Sequence, residues 1–359
     1  MKVTDVKAEI YNWPRKVPIR NGLHTYGTSG LSVTKIETDE GVTGIGLGRD
    51  IRDAPEVGIA IHNHFKQFVI GEDPFDTEKI WHKLWVPKLV GRRGITTRVI
   101  SGIDLALWDI KGKIANRSVH KLLGGYADKV PVYVAGGYYE DGKGLEELAT
   151  EIEDSLSMGA KAVKMKVGGA PINEDVERVR VVRETVGQNV KVMVDANCAY
   201  RYYEAIELAR KIEKYDIAWF EEPVLPDDYK GHKLISESTY IPVATGENEY
   251  TRYGFRDLIN DRCAAIIQPD AQIMGGVTEF MKVAALAQSQ DLPIAPHGNQ
   301  QVHVQLVAAI PNGLTVEYYR ASTDPMWGEM FEDTLMIDIR WLECEIQNAG
   351  ARESENANK

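Results

Sequence analysis

From about residue 130 the chain repeats one unit: a short apolar run, a polar turn, then an amphipathic helical stretch. The runs are VPVYVAG (130–136), AVKMKVG (162–168), VKVMVDAN (190–197), IAWFEEP (217–223), IPVATGE (241–247), AIIQPD (265–270), LPIAPHG (292–298) and LTVEYY (314–319). Helical periodicity fills 145–158, 175–186, 203–215 and 277–290. Strands alternating with helices require a parallel sheet, because each return to the same end needs a crossover. Eight units of roughly 25 residues predict an α/β protein built as a (β/α) barrel. An open doubly wound sheet competes, but no G-x-G-x-x-G follows any of these strands, so its dinucleotide-binding form has no support.

The first third reads differently, as α+β. Alternating strand-like runs cover 3–11, 31–37 and 42–47, the last two separated by Asp39-Glu40-Gly41. Helical patterns cover 56–69, 76–84 and 97–114, the last containing ISGIDLALWDIKGK. With 42 Lys+Arg against 53 Asp+Glu, the net charge of −11 argues against nucleic acid or an anionic membrane as the partner. It leaves room for a small anionic substrate in a pocket with a few buried cations. Cys198, Cys263 and Cys344 fall at spacings that fit neither a disulfide framework nor a zinc site. No signal pattern or apolar run long enough for a membrane span is visible, so the expectation is a cytoplasmic protein.

The ionisable residues fall in register. Lys164/Lys166, Asp195, Glu221, Glu247, Asp270 and His297 stand at or beside the C-terminal tips of successive strands, and the last strand carries Glu317. In a barrel those tips converge on one rim, where active sites are built. A charge inside an apolar strand is costly unless it is paired or bound to metal. Asp195, Glu221 and Glu247 are spaced 26 residues apart, one βα unit per step. Three carboxylates meeting there need a cation, and an all-oxygen set suits Mg²⁺, with Mn²⁺ a relative. In Lys164-Met165-Lys166 the spacing of two puts both ammonium groups on one strand face, where each should depress the other's pKa. Asp270 and His297 lie 27 residues apart, so a carboxylate can orient an imidazole on the far side.

In this order and spacing, together with VDAN (194–197), WFEEP (219–223), GEN (246–248), QPD before Gly275-Gly276, and PHG (296–298), the chain resembles the enolase superfamily, mandelate racemase subgroup. The resemblance implies a (β/α)₇β barrel (126–320) under an α+β capping domain. The cap is formed by residues 1–125 and a C-terminal segment, 321–359. It implies Mg²⁺-assisted removal of the proton α to a carboxylate in a small substrate, and a homo-oligomer. Lys166 would be the base on one face, and His297, backed by Asp270, would act on the other. Lys164 would tune Lys166, and Glu317, protonated, would hydrogen-bond the substrate carboxylate. One departure is the C-terminus: no proline follows Pro325, and the last dozen residues have the composition of a disordered tail.

Such a site can racemise, dehydrate or cycloisomerise. The loops expected over it, RNGLHTYGTS (20–29) and GRDIRD (48–53), are polar and carry His24, Arg49 and Arg52. Tyr138, Asn197, Arg92 and His303 are further candidates for hydroxyl contacts. This polarity predicts an acid-sugar dehydratase making a 2-keto-3-deoxy acid. WFEEPVLPDDYKG (219–231) and PHGNQQVHVQLVAA (296–309) also resemble the subgroup's sugar-acid cycloisomerases, which makes cycloisomerisation the alternative, ahead of racemisation.

Overall fold

A computed structural model describes residues 1–49, 56–85, 93–324, 326, 337–338 and 341–343. Its first unit is an antiparallel sheet of β1 (Val3–Arg20), β2 (Thr25–Thr38) and β3 (Thr43–Arg49), in that order. Helices α1 (Glu56–Ala60), α2 (Thr77–Trp85) and α3 (Ile95–Ala115) share a core with it, and the single turn α4 (Val119–Leu122) packs on α3. The first helical pattern continues past α1 as a wide turn over Ile61–Phe65 and a tight one over Lys66–Phe68. The first strand runs nine residues beyond its expected end at residue 11. Pro14 and Pro18 lie in that extension, and both are tolerated because β1 is an edge strand. The expected loop 20–29 is therefore the tip of a long hairpin.

The second unit alternates β4 (Lys129–Ala135), α5 (Leu145–Ser157), β5 (Ala162–Lys166), α6 (Ile172–Val186), β6 (Lys191–Asp195), α7 (Tyr202–Ile212), β7 (Ile217–Glu221), α8 (Tyr229–Ser236), β8 (Val243–Thr245), α9 (Thr251–Asn260), β9 (Ile266–Ile267), α10 (Gly276–Gln288), α11 (Gln300–Val307) and β10 (Val316–Tyr318). Strands β4 to β9 are parallel neighbours, and β10 pairs with β4. The expected seventh strand is reduced to Ile294, which bridges to Ile267 on one side and Gly313 on the other and so closes the barrel. Pro293 and Pro296 flank it and supply no N–H to a ladder.

Alternation sorts the strand residues. Val163, Met165, Val192, Val194, Phe220 and Val243 point outward into the main core beneath the helices. Tyr133, Ala162, Met193, Trp219, Ala244, Ile266 and Ala295 fill the barrel's inside as a separate apolar layer. Two residues further along β5, β6 and β7, on the same inner face, stand Lys164, Asp195 and Glu221. The apolar layer is thus the floor under a ring of charge.

Helix α3 docks the cap. Its Asp104 Oδ2 accepts the Thr278 N–H (2.9 Å) and its Ser101 hydroxyl accepts the Gly275 N–H (2.8 Å), so two side chains satisfy orphan donors at the start of α10. The hairpin tip docks at a second place. Arg20 and Tyr139 exchange backbone hydrogen bonds, and a Cβ on Gly22 would stand 2.4 Å from that of Ala199. Asp324 and Met326 also lie against the cap, Asp324 paired to Arg15 and Met326 packed on Leu31 and Val33. By contrast β11 (Ile337–Asp338) and β12 (Trp341–Glu343) form a hairpin along β4, not on the cap. The reason is an open edge: β5 pairs only with Val134 and Ala135, leaving Lys129–Pro131 to take β12. The expected disordered tail, with Cys344, lies outside the described residues. No helix among the described residues is long and apolar enough to cross a membrane.

Candidate active site

The strand tips bring Asp195, Glu221 and Glu247 together, with one oxygen of each within 4.8 Å of the others and all three buried. The turn delivering Glu247 depends on Gly246 at φ 134°, where a Cβ would meet the Gln268 backbone. Glu221 is aimed from behind: its Oε2 accepts hydrogen bonds from Trp219 Nε1 (2.9 Å) and Gln268 Nε2 (2.8 Å). Sequence reasoning passed over both donors, although each lies in a motif it had noted. The Asn197 N–H fixes Asp195 Oδ1 at 2.9 Å, while Glu247 Oε2 has no hydrogen-bond partner among the described residues.

Burial, then the neighbouring carboxylates, push Glu221 up to about 8 and Glu247 well above its ordinary range. Despite burial, Lys166 and Lys164 hold Asp195 down to about 2. An all-oxygen, crowded and partly unsatisfied donor set fits a hard divalent cation.

Lys164 contacts Glu221 and lies 2.8 Å from Glu317 and 3.4 Å from Asp195. Lys166 pairs with Asp195 at 2.5 Å and lies 5.0 Å from the centre of the Tyr138 ring. The two lysines do share a face, but the expected mutual depression is overruled. Burial lowers both, yet the surrounding carboxylates raise them well above an ordinary lysine. Glu317 takes the Gly298 N–H on its Oε2 (2.8 Å) and Lys164 on its other oxygen.

Across the barrel, His297 Nδ1 lies 3.0 Å from Asp270 Oδ2, and its Nε2 lies 3.6 Å from Glu247. Gln272 N–H holds the other Asp270 oxygen at 2.8 Å. His303 is no cavity contact: it is fully buried, accepts the Ala271 N–H and braces the loop that carries Asp270.

Above the ring opens a cavity of about 1100 Å³, walled by both units and lined by Lys166, Glu247, His297, His24, Tyr138 and Asn197 among others. Arg49 ends β3. Its side chain, and Arg52 and Arg92, lie outside the described residues.

A buried three-carboxylate cluster between paired lysines and an Asp–His pair, at the mouth of a capped parallel barrel, is the arrangement of an enolase-type enzyme. Residues 3–124 match the mandelate racemase/muconate lactonizing enzyme N-terminal domain, and residues 147–341 match the enolase C-terminal domain-like family. The chain belongs to this family. It is 37% identical over 313 residues (86% of this chain, 84% of the relative) to an arabinonate dehydratase of Saccharolobus solfataricus. It is 34% identical over 317 residues (87% of each) to a 3,6-anhydro-α-L-galactonate cycloisomerase of Streptomyces coelicolor. The crystal structure of a racemase from Streptomyces coelicolor with bound magnesium superposes with TM-score 0.89 at 31% identity, covering 95% of this chain and 94% of that one.

Proposed function

We propose that this enzyme dehydrates a sugar acid to a 2-keto-3-deoxy acid. The observation that carries the reading is the placement of Lys166 and His297 in one cavity, Lys166 paired with Asp195 at one end of the buried carboxylate cluster and His297, held by Asp270, 3.6 Å from Glu247 at the other. Asp195, Glu221 and Glu247 would hold a divalent cation, Mg²⁺ before Mn²⁺, which would supply positive charge to offset that of the substrate carboxylate and of Asp195, so that Lys166 can act as the amine.

Lys166, as the amine, takes the α-proton on one face, and the C–H electron pair moves into the substrate carboxylate. Lys164 and Glu317 border that carboxylate and hold its orientation. His297, as the imidazolium held at Nδ1 by Asp270, gives its Nε2 proton to the β-hydroxyl, which departs as water as the electron pair returns, leaving the neutral imidazole. The resulting enol tautomerises to the 2-keto acid. His24, Asn197 and Tyr138, which line the cavity, are the proposed contacts to the remaining hydroxyls.

The second reading is cycloisomerisation, supported by the likeness to the anhydro-galactonate enzyme. There the leaving oxygen belongs to a ring ether and stays in the product. A panel of five- and six-carbon sugar acids with Mg²⁺, assayed in D₂O for 2-keto-3-deoxy acids, decides. Keto-deoxy products from open-chain acids support dehydration. Products from anhydro acids or lactones alone reject it.

A further inference from the structure

The cavity wall contains a cation that the reaction scheme leaves unused. Three described arginines line it: Arg15, Arg93 and Arg98. Two are already paired, Arg15 with Asp324 at 3.3 Å and Arg93 with Asp227 at 3.5 Å and Glu249 at 3.6 Å. Arg98, on the first turn of α3, is only 9% exposed, and its Nη1 is buried without a hydrogen-bond partner among the described residues. Burying an unpaired guanidinium is costly, so a fold that keeps one at the wall of a ligand cavity is poised to gain an anion there. A planar fork of donors suits a carboxylate in two-point contact, whereas a hydroxyl would leave the charge uncompensated. Lys166 and His297 line the same cavity, so a substrate with one carboxylate among the strand-tip residues extends its other end toward the cap.

We propose that Arg98 binds the distal carboxylate of the substrate, which makes the preferred substrate class a sugar diacid rather than a sugar monoacid. The assignment rests on the sugar-acid reading above and narrows it.

Arg98→Met keeps the stem and removes the charge; Arg98→Lys keeps the charge without the fork. The first readout is thermal stability with Mg²⁺, using a six-carbon diacid and the monoacid of the same stereochemistry as probes. The wild type gains more stability from the diacid, and Arg98→Met loses that difference while Arg98→Lys keeps part of it. Without ligand, Arg98→Met melts at or above the wild-type temperature, since an unpaired buried charge is gone. In turnover, kcat/KM for the diacid falls about 10- to 100-fold in Arg98→Met, mainly through KM, with the monoacid little changed. Equal stabilisation by both acids, no stabilisation by either, or a ligand-free Arg98→Met protein that melts well below wild type overturns the assignment. Product formation is scored separately: if no acid yields a 2-keto-3-deoxy product, the dehydration reading fails, and the melting data still decide on Arg98.

Discussion

Asp270 Oδ2 stands 3.0 Å from His297 Nδ1, which leaves Nε2 as the ring atom facing Glu247 and the cavity. The carboxylate thereby selects the tautomer and the ring angle at once. Asp270→Asn should lower kcat by roughly 10²–10⁴-fold with little change in melting temperature. A kcat within threefold of wild type would show that the carboxylate does not orient the ring.

Lys166 and His297 are proposed to act on opposite faces, so each should govern one proton transfer. Lys166→Ala should abolish α-deuterium exchange at one configuration, and His297→Asn at the other, both proteins remaining folded by circular dichroism. Unchanged exchange in both variants rejects the placement of Lys166 and His297 on opposite faces of the substrate.

Chelation by EDTA should stop turnover and Mg²⁺ should restore it. Trp219→Phe removes one of the two donors aiming Glu221 and leaves its volume largely filled. Mg²⁺ affinity, measured by calorimetry, should fall on the order of tenfold or more. A metal-free protein with full activity, or an unchanged affinity in Trp219→Phe, counts against the carboxylate cluster as the metal site.

Asp104 supplies a pH dependence away from the chemistry. Burial raises its pKa from 3.8 to about 7, although Thr278 hydrogen bonds lower it. A carboxyl with a folded pKa above its unfolded value stabilises fully below the unfolded pKa and loses that contribution as pH rises through the folded one. The wild type should therefore lose stability relative to Asp104→Asn between about pH 4 and 7, by something like 4 kcal/mol, then run parallel to it. Parallel urea titrations across the whole range would refute this.

The site was legible because period two exposes any charge on the inner face of an apolar strand. Lys164, Asp195 and Glu221 announce themselves in this way. What was not legible depends on direction across space. Whether Gln268 donates to Glu221, or His303 braces Asp270 instead of lining the cavity, follows from side-chain aim. The pKa of Lys166 also escaped, since it is set by Asp195 from a neighbouring strand rather than by Lys164. In the cap, Pro14 and Pro18 look like strand breakers until β1 is known to lie at an edge. The pairing of residues 341–343 with β4 had no local signal at all, because a vacant ladder edge is a property of the assembled barrel.

Gly22 sits so close to Ala199 that the hairpin tip has no room for even a methyl group. The cap therefore cannot be exchanged as an independent cassette. A transplanted hairpin, or one lengthened to recognise a new sugar, must arrive with a matching loop after β6. Changes of specificity in this scaffold should accordingly travel as paired replacements on the two halves of the molecule.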